Sequence, residues 1–212
     1  FVSGATVISP EIASYFLRGV ADLAGNLLKP NQINNETKFT ILMPGVTLDY
    51  GDAPDPLGSI SGRYPTLKAN DGARHVIGEV ALLGSGISAD ADGQPTPTAD
   101  GDTFDDGVVF GSILATPGLF NRNVQTPVTV TLSTPGFVDG WIDFNADGDW
   151  DDPGEQILTS TQFTAGHLTQ TFMVTIPATA PNLAVNTQTF ARFRSSSVGG
   201  LVPTGLAADG EV

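Results

Sequence analysis

The sequence has no cysteine among its 212 residues, which excludes disulfide scaffolds, thiolate metal sites and cysteine nucleophiles. No hydrophobic run approaches the roughly 20 residues of a membrane-spanning helix, so membrane insertion is not expected. The short motifs of serine hydrolases, phosphate-binding loops and zinc peptidases are also missing. Carboxylates and aromatic rings are therefore the main candidates for a functional role.

Basic residues are scarce as well. Nine Lys and Arg stand against 23 Asp and Glu, which gives a net charge of −14 and a pI near 4.1. Nucleic acids and anionic membranes need clustered positive charge, so neither is an expected partner. Only 15% of the residues are charged, against an average of about 25%. The acidity therefore reflects a lack of basic residues and the crowding of Asp into a few places.

The first 48 residues carry the one clear helix signal. Ser9 and Pro10 suit a helix start, and apolar residues then recur at three- and four-residue spacing. Such an amphipathic helix packs either on the core of its own domain or on a neighbouring domain or subunit. A strand is predicted at Thr37–Met43. The chain begins with Phe1 rather than Met, which favours a processed or excised piece.

The rest of the chain has the pattern of a mainly β protein, because 25 Gly and 15 Pro favour many short strands over long helices. We divide the sequence into an N-terminal helix and strand segment (1–48), an acidic loop-rich segment packed on a sandwich (49–112) and a β-sandwich domain (113–212). The predicted architecture is a jelly-roll-like antiparallel β-sandwich with long acidic loops and one N-terminal amphipathic helix. Strands are predicted at Val76–Leu83, Gly107–Ile113, Val124–Ser133, Gly136–Phe144, Leu168–Ile176 and Thr187–Ser195.

The strongest site signal is an acidic loop that contains no basic residue. Counted from Asp143, oxygen-bearing side chains stand at positions 1, 3, 5 and 7 and Gly148 stands at position 6, which matches the first half of a calcium loop. Position 12 is Gly154, so the second half is not that of an EF-hand. Unneutralised, the like charges would oppose folding of the loop. The predicted calcium ligands are Asp143, Asn145, Asp147 and Asp149, with Asp151, Asp152 or Glu155 closing the shell.

Two further acidic clusters precede this loop. The first again has alternating Asp beside Gly, and it could hold one ion between its halves. Its residues are Asp90, Asp92, Asp100, Asp102, Asp105 and Asp106. In the second, Asp49, Asp52 and Asp55 surround Gly and Pro, and either metal binding or turn capping explains them.

A catalytic role is not expected. His75 is predicted in a salt bridge or turn and His167 in an exposed loop, and neither has a partner pattern. A carboxylate pair of the glycoside hydrolase type forms through space and stays open on spacing alone, although a general acid needs an apolar surround. A calcium-dependent carbohydrate-binding module is the stronger alternative, with Trp141, Trp150 and Tyr64 offering ring faces to a glycan. Packing in the core is the competing interpretation of these rings.

Three stretches resemble the GEVED domain, a family of large secreted, multidomain bacterial proteins. They are Gly140-Trp-Ile-Asp-Phe-Asn-Ala-Asp-Gly-Asp-Trp-Asp-Asp, Phe190-Ala-Arg-Phe-Arg-Ser and Pro203-Thr-Gly-Leu-Ala-Ala-Asp-Gly-Glu-Val. The segment beginning Asp49-Tyr-Gly-Asp-Ala-Pro is similar to the one that commonly precedes that domain. The resemblance covers roughly 49–212 and implies a secreted, calcium-stabilised β-rich module without implying a reaction.

The sequence therefore predicts an extracellular, calcium-binding structural or adhesive module of a large bacterial surface or secreted protein. Its expected partners are neighbouring domains or identical subunits, in an oligomer or a filament. The calcium ions would neutralise part of the negative charge and order loops whose carboxylates otherwise repel one another.

Overall fold

A computed structural model describes residues 46–56, 63–78, 80–104, 106–113, 116–117, 120, 124–178, 180 and 187–212. The chain divides into two compact units, Phe1–Val46 and Thr47–Val212. The predicted N-terminal helix and the predicted strand at Thr37–Met43 lie outside the described residues. The description below concerns the second unit.

The described part of the second unit is mainly β, as predicted, and it contains no α-helix. A single 3₁₀ turn spans Lys68–Asn70. The strands are β1 (Leu48–Tyr50), β2 (Arg74–Val76), β3 (Val108–Phe110), β4 (Ser112–Ile113), β5 (Thr116–Pro117), β6 (Thr126–Thr131), β7 (Gly136–Ile142), β8 (Gln156–Phe163), β9 (Thr169–Val174), β10 (Ala191–Ser196) and β11 (Leu206–Ala207).

Two antiparallel sheets form the sandwich, one in the order β10-β7-β8 and the other in the order β3-β6-β9. Strand β6 shows why they pack together, because Thr126, Val128 and Val130 are buried and alternate with more exposed residues. Each large apolar side chain buried in this way contributes about 1.5–3 kcal/mol. The core between the sheets contains Leu83, Val128, Val130, Leu132, Val138, Ile142, Phe144, Leu158, Phe163, Val174 and Phe193.

A third sheet, in the order β1-β2-β11, joins the acidic segment to the C-terminal part of the chain. Strand β1 pairs antiparallel with β2, and β11 pairs parallel with β2. The acidic segment and the C-terminal strands thereby belong to one compact unit, Thr47–Val212.

The structure also corrects two strand expectations. The strand predicted at Val76–Leu83 is wrong beyond its first residue, because β2 ends at Val76 and Ala81 has φ 53°. A positive φ interrupts an extended strand. Strand β8 was not predicted, although it pairs with most of β7.

Candidate metal-binding loops

The buried Asp143 carboxylate holds the acidic loop between β7 and β8 in place through hydrogen bonds. This side chain is fully buried, and its Oδ1 accepts the N–H groups of Asn145 at 3.1 Å and Ala146 at 2.5 Å. Its Oδ2 accepts the Tyr64 hydroxyl at 2.6 Å and the Gly148 N–H at 3.1 Å. Asp143, the predicted first ligand, therefore uses both oxygens to hold the turn together.

Gly148 is required at the centre of this turn for two reasons. Its φ is 96°, a conformation that side chains with a Cβ rarely adopt. A Cβ at this position would also lie 2.9 Å from the Cβ of Arg63. The sequence signal carried by this glycine thus corresponds to a real backbone constraint.

Above the turn, three of the predicted ligands come together. Asp147, Asp149 and Asp152 each present an oxygen within 4.8 Å of the others, and all three are at least partly exposed. The Asn145 amide donates to Asp147 Oδ2 at 2.9 Å and also to Asp152 Oδ2. Asp151 is exposed and does not belong to this group.

Glu155 supports the loop from the buried side. Its side chain is 2% exposed, and its Oε1 accepts the Phe144 N–H at 3.0 Å. Its Oε2 accepts the Asp152 N–H at 3.3 Å. Burial, with the nearby Asp143 carboxylate, raises the pKa of Glu155 to about 7.

An aromatic cluster underlies the loop. The Tyr64 and Trp150 rings lie 4.5 Å apart between centroids, and the Arg192 guanidinium carbon lies 4.4 Å from the centroid of Trp150. Trp150 donates its indole N–H to the Phe190 carbonyl at 3.2 Å. Trp141 and Trp150 are each 3% exposed, so no sugar ring could stack on either without a rearrangement.

A second acidic group combines residues from two predicted clusters. Asp49 on β1 joins Asp90 and Asp102 of the long loop, with one oxygen from each within 4.8 Å of the others. The isolated bridge between Leu48 and Asp90 brings that loop against β1. Asp90 also accepts the Tyr50 N–H at 3.2 Å, and Asp102 accepts the Ser88 hydroxyl at 2.5 Å.

Glu211, one of the single acidic residues that the sequence left open as completing such a site through space, lies near this second group. It is 3% exposed, and its Oε2 accepts the Leu83 N–H at 2.8 Å. Burial raises the pKa of Glu211 to about 9, with further contributions from the negative charges of Asp49 and Asp102. The raised pKa thus reflects mainly the burial of Glu211, and the neighbouring carboxylates add to it.

The remaining predicted ligands cap turns in the structure. Asp55 accepts the N–H groups of Thr66 and Leu67, both at 2.9 Å, and Asp52 accepts that of Gly101 at 2.7 Å. Burial raises the pKa of Asp52. Asp92 accepts the Lys68 N–H, Asp100 the Thr96 hydroxyl and Asp106 the Ser85 N–H. Asp105 lies outside the described residues.

Two arginines of β10 are buried, a feature that sequence reasoning missed. Arg192 donates to the carbonyls of Pro65 and Pro203 at 2.7 and 2.8 Å, and to the Thr66 hydroxyl at 2.9 Å. Burial, with the nearby charge of Arg194, lowers the pKa of Arg192 to about 9. The arrangement anchors the segment that carries Tyr64.

Arg194 is 1% exposed and forms a second buried centre. Its Nε donates to His75 Nε2 at 2.9 Å, and its terminal nitrogens donate to four carbonyls at 2.6–3.2 Å. Burial lowers the pKa of Arg194 to about 10. The carbonyls belong to Arg74, Val202, Thr204 and Gly205.

His75 is not in a salt bridge or turn as predicted, since it lies fully buried on β2. The salt bridge of this segment joins Arg74 to Asp71 at 3.0 Å. Because an arginine Nε–H only donates, His75 Nε2 is an acceptor and Nδ1–H donates to the Asp209 carbonyl at 2.7 Å. Burial and the charge of Arg194 lower the pKa of His75 well below its ordinary value.

Because His75 is buried in its neutral form, we expect the protein to lose stability in acid. A base whose pKa is lowered in the folded state makes its full contribution to the free energy of unfolding above its unfolded pKa of about 6.5, and that contribution falls as the pH drops below 6.5. We expect the free energy of unfolding to fall by about 1.4 kcal/mol between pH 7.5 and 5.5 relative to a His75→Gln variant. Urea unfolding of both proteins at both pH values measures the difference.

The His75→Gln variant is a matched control because its amide can accept from Arg194 and donate to Asp209. Glu155 and Glu211 titrate in both proteins, so the difference isolates His75. Equal pH dependence of the two proteins would contradict the assigned neutral histidine.

The comparisons with known proteins support the family resemblance seen in the sequence for one part of the chain. Residues 137–212 match the GEVED domain, which confirms the resemblance from β7 onwards. The matched part includes the loop between β7 and β8, both buried arginines and Glu211. No curated protein and no solved structure matches the chain. Among the described residues, no helix is long and apolar enough to cross a membrane.

Proposed function

We propose that this chain is a calcium-binding structural or adhesive module of a large extracellular bacterial protein. The observation that carries the proposal is the convergence of two separate groups of three carboxylates, Asp147–Asp149–Asp152 and Asp49–Asp90–Asp102. The proposal assigns no reaction to the chain.

The acidic loop between β7 and β8 (residues 143–155), which we call the upper loop, has the chemistry of a calcium site. Calcium prefers six to eight oxygen ligands, and neighbouring carboxylates supply them readily. Asp147, Asp149 and Asp152 would ligate the ion directly, while Asp143 and Glu155 hold the turn from the buried side. A divalent cation would remove the repulsion among the three carboxylates, whereas alone they oppose one another.

The second group offers a more enclosed site. Asp49 is fully buried, while Asp90 and Asp102 are partly exposed. The Asp49 Oδ2 accepts the Val212 N–H at 2.8 Å, and a cation shared by the three carboxylates would further offset the cost of burying the Asp49 charge. Two calcium ions would change the net charge from −14 to −14 + 4 = −10.

We also assign residues 49–136 to the same module as the GEVED match. Arg192, within the matched residues, donates to the Pro65 carbonyl and the Thr66 hydroxyl outside them. Strand β11 of the matched part pairs with β2 of the preceding segment. These contacts support a single folded module with the ordered acidic segment as one of its layers.

An extracellular setting suits the proposed sites, because extracellular calcium modules bind with Kd of about 0.1–1 mM. Calcium sites of this affinity are occupied in a calcium-rich medium. The absence of cysteine from the sequence is compatible with this setting.

Terbium luminescence tests the proposal directly. Terbium replaces calcium in oxygen sites and is excited through a nearby indole, and Trp150 is adjacent in sequence to Asp149 of the carboxylate group. We expect a Trp-sensitised signal that calcium displaces and that Asp149→Asn with Asp152→Asn abolishes. Asp151→Asn is the matched control, because this exposed carboxylate of the same loop stands outside the group.

The second site is followed by equilibrium dialysis with calcium. We expect about two ions per chain for the unmodified protein and one after Asp90→Asn. Failure of calcium to displace terbium, together with no retained calcium in dialysis, would overturn the proposal.

A further inference from the structure

Aspartate followed directly by glycine occurs seven times in this sequence, and all seven pairs lie within the described residues. The backbone nitrogen of such a glycine can attack the side-chain carbon of the preceding aspartate, because glycine has no Cβ to hinder the approach. The local geometry of each pair therefore determines which aspartates react in the folded protein. The seven aspartates are Asp71, Asp92, Asp100, Asp106, Asp139, Asp147 and Asp209.

Asp92 and Gly93 form the pair in which the reacting groups are already in contact. The Gly93 N–H donates to Oδ1 of Asp92 at 2.8 Å. Since Cγ is bonded to Oδ1, the Gly93 nitrogen lies close to the carbon that it would attack. Reacting atoms held near each other in this way have a high effective concentration. Asp92 is also exposed, so water reaches this pair.

A second backbone N–H supports the same reaction. The Lys68 N–H donates to Oδ1 of Asp92 at 2.6 Å. A backbone donor at this oxygen stabilises the negative charge that develops when a nucleophile adds to the carboxyl carbon. The bond also restrains the Asp92 side chain in the position where it contacts Gly93.

In three of the other pairs the glycine N–H is engaged by a different acceptor. Each of these bonds must break before the glycine nitrogen can attack its own aspartate, so the fold protects the pair. The bonds run from Gly72 to the Leu67 carbonyl at 3.0 Å, from Gly101 to Asp52 Oδ2 at 2.7 Å and from Gly148 to Asp143 Oδ2 at 3.1 Å.

In the remaining three pairs the aspartate side chain is engaged by donors other than the next glycine. Ser85 donates to Asp106 through its N–H and its hydroxyl, and Ser197 donates to Asp209 in the same way. Asp139 is 1% exposed and accepts N–H groups from two other segments. These bonds restrain the three carboxylates, so the fold protects these pairs as well.

We propose that Asp92 isomerises spontaneously to isoaspartate in the folded protein, in preference to the other six aspartates. The Gly93 nitrogen forms a bond to Asp92 Cγ, the Cγ–Oδ2 bond breaks, and the oxygen leaves as water with the amide proton and a proton from solvent. Water then opens the succinimide ring at the backbone carbonyl carbon of Asp92, so the main chain runs through the former side chain. The composition of the chain is unchanged, and the step needs no oxidant or cofactor.

The modification would disturb the packing of the long loop against Thr66. A Cβ added at Gly93 would overlap the Thr66 carbonyl, so the backbone at Gly93 already packs closely there. Isoaspartate adds one methylene to the main chain directly before Gly93. We therefore expect the isomerised loop to lose this contact.

Digestion with endoproteinase Asp-N measures the modification at each position, because this enzyme cuts before aspartate and not before isoaspartate. The full chain is incubated at neutral pH in EDTA, folded in one sample and unfolded by urea in the other. We expect the ratio of the folded to the unfolded isomerisation rate to be several-fold higher at Asp92 than at any of the other six aspartates. The uncut peptide 90–99 identifies the product. EDTA keeps metal binding out of the comparison, so this proposal and the calcium proposal fail separately.

Asp71 supplies the matched control, because its side chain is 69% exposed and would be the favoured site if exposure alone decided. Labelling with isoaspartyl methyltransferase measures total isoaspartate in the aged, folded protein. Asp92→Glu should remove most of the label, because the longer side chain must close a six-membered ring, while Asp71→Glu should leave the label nearly unchanged.

A folded-to-unfolded rate ratio at Asp92 that is no higher than the ratio at Asp71 would overturn the proposal. So would a label that Asp92→Glu leaves unchanged. Thermal melts check that both variants fold, and the rate ratios of the unmodified chain decide the question without either variant.

Discussion

Transfer of the protein from saturating calcium to EDTA is expected to lower its melting temperature by about 5–11 °C for each site. An ion that binds only the folded state stabilises it by about 2.7 kcal/mol at 100 times Kd. For a domain of this size each kcal/mol corresponds to about 2–4 °C. Calorimetry in calcium and in EDTA measures the shift.

Asp147→Ala should remove the contribution of the upper site while leaving that of the Asp49 group. The matched control is Asp151→Ala, which removes the same charge from the same loop outside the carboxylate group. We expect the control to keep the full calcium shift. If Asp147→Ala keeps the full calcium shift, the carboxylates of the loop between β7 and β8 are solvated turn residues and not calcium ligands. The absence of a shift in the unmodified protein would mean the same for both groups.

Replacement of Arg194 by Met is expected to cost about 3–5 kcal/mol, because it leaves buried acceptors without their donor. The substitution removes the donor to His75 Nε2 and to four carbonyls that converge on one guanidinium. The loss should appear as a lower urea midpoint without a change in the slope.

Arg194→Lys separates charge from geometry. An ammonium group keeps the positive charge but cannot reproduce the planar set of donors, so we expect most of the loss to remain. Arg63→Met is the matched control, because Arg63 is exposed and its replacement should change stability by less than about 0.5 kcal/mol. Equal midpoints for Arg194→Met and Arg63→Met would contradict the structural role of Arg194.

The strands of the sandwich were predictable from the sequence where buried and exposed residues alternate regularly. They were not predictable where a bulge interrupts that alternation. Strand β6 alternates buried and more exposed residues along its length, and its prediction is confirmed. Strand β8 pairs with β7 through two register shifts around Gly140, and Ser160 has φ 41°. Each extra residue of a bulge shifts the following side chains to the other face. The period of two that identifies a strand is therefore lost in the sequence of β8.

The same contrast applies to the acidic sites. The upper loop is continuous in sequence, so the spacing from Asp143 to Asp152 indicated a local turn, which the structure contains. The second group depends on the pairing of Leu48 with Asp90, which joins distant residues. No local spacing encodes that contact, and the two clusters therefore looked separate.

The buried arginines illustrate a third reason. In β10 the residues Arg192 and Arg194 flank Phe193, a pattern that normally indicates one buried and one exposed face. Phe193 packs in the sandwich core, while Arg194 reaches His75 of the β1-β2-β11 sheet. Both faces of β10 are thus covered, and the guanidinium groups on the charged face donate hydrogen bonds to backbone carbonyls.

The third sheet also determines how the module would respond to tension. Leu48 pairs with Val76 and Ala207 with His75, so the start of β1 and the end of β11 lie at the same end of that sheet, although the two strands form its opposite edges. The Val212 N–H donates to Asp49 Oδ2 at 2.8 Å, so Val212 lies beside β1. A stretching force on Thr47 and Val212 would peel the sheet open one hydrogen bond at a time, instead of loading all the bonds together in shear.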